Sequence, residues 1–316
     1  MNPKALKIAF FGTPEFAAHQ LHFLITEGYT ITVVITAPDR PAGRGKAIQS
    51  SAVKKIALAH QLPLEQPENL KAEEFVKKYI DLEIDCAIVV AFRMLPKVIW
   101  GAARLGTFNL HASLLPNYRG AAPIQWALRN QETETGLSTF LIDEHIDTGA
   151  ILKQTKCTIT PKDNAAALHD RLMELGPKLI AETLKGLAES KITPLIQDTS
   201  IHLKEAPKLT KENTRIDLNL SPSGFCAMVR SLDPYPGAYA LLKDGDKEIS
   251  IKIYEVQESS KQNIKKHALI EEDGKVYLGL NQGSVEIIKW QFPAKKAVLV
   301  KDFLNGHRLN QGVELF

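Results

Sequence analysis

Four short apolar runs alternate with stretches of helical character across the first 111 residues, and this alternation restricts the chain to one class of fold. Residues 7–11, 30–36, 86–92 and 106–111 read as strands, with a shorter one at 62–64. Helical stretches fall at about 15–26, 51–60 and up to 79. The run 86–92, CAIVVAF, shows no polar alternation, which is the pattern of a strand covered on both faces. Strands separated by helices are joined by crossovers, and crossovers make neighbouring strands parallel. The expected fold is therefore α/β, a doubly wound, mostly parallel, Rossmann-like sheet with helices on both faces.

The pattern continues with a helix over 124–129, a strand over 138–143 and a long helix over 164–187. In that helix Leu168, Leu172, Leu175, Leu179 and Leu184 recur near a 3.6 period. Residues 191–211 then carry Pro194 and Pro207 with little periodicity. Beyond one short helix over 224–231, strands are predicted at 239–242, 249–256, 267–271, 275–279 and 285–290. Asp244-Gly245, Asp273-Gly274 and Gln282-Gly283 supply the turns between them. Short strands at this spacing predict a small antiparallel, OB-like β-barrel. The expected division is a first domain over 1–190, a linker over 191–207 and the barrel over 208–316. With 316 residues, of which 44% are hydrophobic, the chain can fill both cores.

Where the strand at 106–111 ends, the sequence turns polar: residues 109–123 read NLHASLLPNYRGAAP. Side chains alternate along a strand, so Asn109 and His111 share a face. In doubly wound sheets ligands bind outside the carboxyl ends of the strands. An amide and an imidazole placed there can polarise a carbonyl and manage a proton. A second polar cluster, Asp143 to Gly149, follows the strand at 138–143. Asp147 there reads either as a proton acceptor for the imidazole or as an Asx-turn residue, and His145 as a loop histidine. The loop at 38–46, PDRPAGRGK, joins prolines and glycines to three cations. On its residues alone it reads as a solvated surface loop.

Other function classes lose ground. Neither G-x-G-x-x-G nor G-x-x-x-x-G-K-[ST] occurs, so a dinucleotide or nucleotide phosphate cradle is not encoded in its usual form. Three cysteines lie far apart, no H-E-x-x-H is present, and no metal is expected. A net charge of +3 means that any nucleic-acid surface must be local. No window approaches the ~20 apolar residues needed to span a bilayer. The chain reads as soluble, cytoplasmic and, for want of an oligomerisation segment, monomeric, with no membrane partner.

Taken together, several segments resemble the folate-dependent formyltransferases, and most closely their bacterial methionyl-tRNA formyltransferase members. They are FFGTPEFA at 10–17, APDRPAGRGK at 37–46, NLHASLLPNYRGAAPIQWAL at 109–128, IDTG at 146–149, LGPKLI at 175–180 and KLTKENTRID at 208–217. The resemblance implies 10-formyltetrahydrofolate as donor and the α-amino group of initiator methionyl-tRNA as acceptor. It makes Asn109, His111 and Asp147 the catalytic set and Ser113, Leu114, Leu115 and Pro116 a folate-binding segment. Ala91 and Phe92 would help to enclose the pterin. Arg40, Arg44 and Lys46 would approach the acceptor stem, which reverses the plain reading of that loop. At 91–97 the chain reads AFRMLPK, one residue shorter than the common family pattern, with Arg93 in place of a glycine. A formyltransferase acting on a sugar-nucleotide amine and a formyltetrahydrofolate hydrolase are the alternatives that share the trio. A non-catalytic tRNA- or folate-binding protein would bind without turnover.

Overall fold

The computed structural model describes residues 1–42, 47–198, 200 and 203–316. In chain order the elements begin with β1 (Ile8–Gly12), α1 (Glu15–Thr26), β2 (Ile31–Ile35), β3 (Arg40–Ala42), β4 (Ala47–Gln49), α2 (Ala52–Ala59) and β5 (Leu64–Glu65). Next come α3 (Glu73–Asp81), β6 (Cys86–Val90), α4 (Lys97–Trp100), β7 (Thr107–His111), β8 (Arg119–Gly120) and α5 (Pro123–Arg129). They are followed by β9 (Glu134–Leu141), β10 (Ile151–Thr158), α6 (Ala165–Ala188), β11 (Glu205–Ala206) and α7 (Pro222–Leu232). The last are β12 (Ala238–Asp244), β13 (Lys247–Ser259), β14 (Leu269–Glu272), β15 (Lys275–Gly279), β16 (Ser284–Gln291), β17 (Val298–Leu299), α8 (Val300–Leu304) and β18 (Glu314–Leu315). The chain forms two compact units. The first contains Met1–Gly120, Thr135–Cys157 and Asp170–Lys204; the second contains Ala121–Glu134, Thr158–His169 and Glu205–Phe316.

The first unit holds a seven-stranded sheet in the order β10-β9-β7-β6-β1-β2-β5. The five strands β5, β2, β1, β6 and β7 are parallel to one another, as the alternation with helices predicts. Ala9, Phe11, Val33, Ile35, Ala87 and Val89 join Phe75 and Tyr79 of α3 and Ile99 of α4 in one core cluster. Ile8, Phe10, Val34 and Ile88 point the other way and are also fully buried. Burial on both faces is the reason these strands read as continuous apolar runs. From β1 the chain moves to β2 and β5 on one side, then returns to β6 and β7 on the other. The order reverses between β1 and β6, so the carboxyl ends Gly12, Val90 and His111 surround the switch point. Gly12 makes a tight strand-to-helix turn: a Cβ there would lie 2.6 Å from the Ala17 Cβ.

Three features depart from the sequence reading. The strand expected at 138–143 starts at Glu134 and runs antiparallel to β7. β10 is a further strand in which Gln154, Lys156 and Thr158 are exposed and only Ile151, Leu152 and Cys157 are buried, so it reads locally like a loop. The basic loop is also framed by a short hairpin, β3 pairing antiparallel with β4.

The second unit carries an antiparallel sheet in the order β14-β15-β16-β13-β12-β18, with β17 alongside β16. Its ends nearly meet: Leu269 N–H donates to Val313 O and Leu315 N–H to His267 O, both at 2.9 Å. The inward positions build one core around the fully buried Trp290, with Phe225, Val229 and Leu232 of α7. This is the small barrel that the strand spacing predicts. β17, α8 and β18 were not expected, because elements of two to five residues leave no period to detect. Segments far upstream complete this unit. Arg129 donates to Asn213 O at 2.8 Å, Trp126 Nε1 to Pro207 O at 2.8 Å, and Arg230 to Asp163 O at 3.1 Å.

Candidate active site

The site assembles at the carboxyl end of β7. Asn109 pairs across the sheet with Val89 of β6 and Phe140 of β9, and His111 pairs with Ser138, so both polar side chains leave the same face. His111 is 7% exposed, with its ring edge-on to Phe140 at 6.4 Å. Its Nε2 lies 2.8 Å from Tyr118 O. A carbonyl only accepts, so Nε2 carries the proton and Nδ1 is the open nitrogen of the neutral ring. That Nδ1 faces Asp147 Oδ2 at 3.6 Å, and the Asp147 side chain is 12% exposed. A bare lone pair and a carboxylate oxygen this close leave room for one proton between them. Asn109 is different: its Oδ1 is buried and has no hydrogen-bond partner. A buried polar atom left open at a strand end is a place where a ligand can complete the bonding.

The loop that delivers Asp147 is built by its neighbours. Asp143 Oδ1 accepts from His145 N–H at 2.9 Å and Thr148 Oγ1 at 2.7 Å, so Asp143, rather than Asp147, is the Asx-turn residue. His145 is exposed, as a loop histidine should be. Lys97 Nζ reaches Glu144 at 2.7 Å and holds that carboxyl below its usual range, tying the loop to α4. Asp147 itself takes a left-handed backbone, φ 57°, and its Oδ2 accepts from Gly120 N–H at 2.8 Å. Gly149 admits no other residue, since a Cβ would sit 1.6 Å from Leu141 O.

Ser113 to Pro116 continue from β7 and are pinned to β9. Ser138 Oγ donates to Ser113 O at 2.6 Å and accepts from Leu115 N–H at 3.0 Å and Gln154 Nε2 at 2.8 Å. Ser113 is fully buried with its hydroxyl spent on Asn117 O at 2.7 Å, and Leu115 packs with Phe140 and Ile151. Leu114 and Pro116 are half-buried. Ala91 is exposed with φ 47°, and Phe92 lies 5.7 Å from Phe11, at the end of the strand beside β7. Arg93 donates to Glu68 O and Pro67 O at 2.8 and 2.5 Å, so the residue that departs from the family pattern fastens a neighbouring loop. Arg40 is exposed on β3, whereas Arg44 and Lys46 lie outside the described residues.

Gln197 was not singled out from the sequence. It lies in the stretch expected to be a linker, is 6% exposed, and donates to Asp147 O at 2.9 Å and Gly149 O at 2.7 Å. The dipeptide-scale sequence carries no signal for this. Burial pushes the Cys86 thiol up to about 12 and the Cys226 thiol to about 11, so neither is a nucleophile near neutral pH. Among the described residues no three His, Cys, Asp or Glu side chains come together to hold a metal ion. An amide with an open acceptor oxygen, an imidazole and a carboxylate facing it can together polarise a carbonyl and take up a proton.

The chain is similar to known proteins along its length. The profile of the formyl transferase family matches residues 6–184, and that of the formyl transferase C-terminal domain matches residues 208–308. A methionyl-tRNA formyltransferase of Flavobacterium johnsoniae is 47% identical over 304 residues, covering 95% of this chain and 96% of that protein. Among solved structures, HypX from Aquifex aeolicus in complex with tetrahydrofolic acid shares the fold at a TM-score of 0.64 and 17% identity. The match covers 95% of this chain and 47% of HypX, so the chain spans about half of that protein. An N-formyltransferase from Helicobacter canadensis, solved with folinic acid and dTDP-3-aminofucose, matches with a TM-score of 0.65 at 18% identity, over 89% and 98% of the two chains. With one family profile at each end and near-identity in length to a relative that shares almost half its residues, this chain belongs to the formyl transferase family, among its methionyl-tRNA formyltransferases.

Proposed function

We propose that the chain transfers the formyl group of 10-formyltetrahydrofolate to the α-amino group of methionyl initiator tRNA. The observation that carries this reading is the 47% identity to the F. johnsoniae methionyl-tRNA formyltransferase, which extends over both units. The likeness to the sugar-linked N-formyltransferase stands at 18% and speaks for the fold alone.

The residues present suit a formyl donor and an amine: the Asn109 amide, whose Oδ1 is an acceptor open to an amine N–H, lies on the same strand face as the His111–Asp147 pair. When bound, 10-formyltetrahydrofolate supplies an electrophilic formyl carbon. Asp147, directly or through His111 Nδ1, takes the proton that the attacking amine must lose. The Tyr118 carbonyl keeps the ring in the tautomer that leaves Nδ1 free for this. Asn109 turns its amide N–H toward the formyl oxygen as negative charge builds there, a preorganised donor worth about 10²–10³ in rate. The Nε2–H of His111 is engaged by Tyr118, so the only further N–H it offers that oxygen is at Nδ1 after that nitrogen has been protonated. The proton held by the pair then returns to the departing nitrogen.

Ser113–Pro116 and the Ala91–Phe92 strand end flank the donor, in this reading mainly through backbone and apolar surface. Arg40, with Arg44 and Lys46, meets the acceptor stem, and residues 208–316 serve as the tRNA-binding domain. The enzyme acts as a monomer in the cytoplasm; among the described residues no helix is long and apolar enough to cross a membrane. The test is formyl transfer to charged initiator tRNA, with elongator methionyl-tRNA and a UDP-amino sugar in parallel. Product on the initiator alone is expected. Product on the sugar, or tetrahydrofolate released without an acceptor, would overturn the acceptor assignment.

A further inference from the structure

The turn that carries Asp147 lies outside any helix or strand, and Asp147 occupies a left-handed backbone that side chains disfavour. Besides the Asp143 turn, a closed circuit of hydrogen bonds through Gly120, Arg119, Gln197, Asp147 and Gly149 holds it. Gly120 N–H donates to the Asp147 carboxylate at 2.8 Å. The neighbouring Arg119 donates through Nη2 and Nε to Gln197 Oε1 at 2.7 and 3.1 Å. Gln197 Nε2 donates to the carbonyls of Asp147 and Gly149, which brings the circuit back to its start. The guanidinium only donates and the two carbonyls only accept, so the amide fits in one orientation. No other side chain of this size meets both demands. Glutamate would set oxygen against two carbonyl oxygens, and methionine would offer no partner to the guanidinium or to either carbonyl.

We propose that Gln197 is a positioning residue for formyl transfer: seated by Arg119, it holds the 147–149 turn so that the Asp147 carboxylate faces His111 Nδ1. This rests on the reading that the His111–Asp147 pair handles the amine proton. Gln197 is buried with both atoms of its amide engaged by the protein, so its effect should fall on turnover and on the pH dependence of turnover.

The test compares Gln197→Glu, Gln197→Met, Asp147→Asn and the double variant Gln197→Glu/Asp147→Asn in the full chain. Single-turnover rates, KM for both substrates, pH–rate profiles and thermal melts are measured for each. The expected result is a tenfold or greater fall in kcat for both Gln197 variants, KM values within about threefold, and a shifted limb of the pH profile. In the Asp147→Asn background Gln197→Glu should cost less than twofold, because the group it positions is gone. Wild-type rates in both Gln197 variants, or the same fold-loss with and without the Asp147 carboxylate, would overturn the inference. If Asp147→Asn leaves the rate unchanged, the underlying proton reading fails instead. Should Gln197→Glu melt far below the wild type, Gln197→Met, which brings no charge, carries the comparison.

Discussion

Asn109 and His111 stand two residues apart on one strand face, yet their polar atoms are treated in opposite ways. His111 Nε2 is satisfied by a backbone carbonyl, while the buried Asn109 Oδ1 has no partner. An unsatisfied buried polar atom costs about 1–3 kcal/mol. Folding alone gives no reason to keep it, whereas a bound molecule that brings an N–H, as an amine does, would complete its bonding. Asn109→Ala is therefore expected to lower kcat by about 10²–10³ with little change in KM, while leaving the melting temperature equal or higher. Steady-state kinetics beside a thermal melt would check both halves. A variant that loses stability and keeps its turnover would assign Asn109 to packing.

Among the elements, the seam between β1 and β6 is set by Asp85. It accepts from Lys7 N–H at 2.9 Å and from Arg104 Nε and Nη2 at 2.9 and 2.6 Å. Burial pushes this carboxyl up, but the Lys7 N–H and the Arg104 guanidinium together outweigh it and bring it below its usual 3.8. A lowered folded value means that the ionised form stabilises the fold. That contribution is complete above the unfolded value and disappears as pH falls through the lower folded one. Asp85→Asn should thus be less stable than wild type at pH 7, and the gap should narrow as pH falls below about 4 and through the lowered folded value. Urea midpoints between pH 7 and pH 3 would show it, and a gap independent of pH would mean that charge is not the cause. In the barrel, Trp290 is fully buried and its Nε1 has no partner. Trp290→Ala should cost about 3–5 kcal/mol. Trp290→Phe should cost clearly less, since it keeps ring contacts with Phe292 and Phe303 at 5.2 and 5.1 Å and removes the orphan N–H. Equal losses in chemical denaturation would rule that reasoning out.

At the level of the whole molecule, a net charge of +3 spread over 316 residues creates little long-range attraction for a polyanion. Affinity for tRNA must then come from local cations, of which Arg40 is an exposed example. Arg40→Ala is expected to raise the KM for charged tRNA several-fold, leave the folate KM unchanged, and reduce the slope of log affinity against log salt by about 0.7–0.9, the share of one phosphate contact. An unchanged salt slope would place Arg40 outside the interface. The second unit also takes in 121–134 and 158–169, which are separated from its main segment by residues of the first. Composition along the chain does not register such an exchange, since each piece is amphipathic in the same way wherever it packs.

The sequence by itself determined the class of both sheets, the strand that ends in Asn109 and His111, and the place of Asp147 in a turn. These follow from periodicity, turn residues and motif spacing, all of which act over a few neighbouring positions. Only the tertiary structure decided that Asp143 makes the Asx turn, that the His111 tautomer is set by Tyr118, and that Gln197 clamps the Asp147 loop. Gln197 meets Asp147 across 50 residues and Arg119 across 78. Hydrogen bonds over such separations depend on how the strands and loops come together, and they leave no periodic trace in the local sequence.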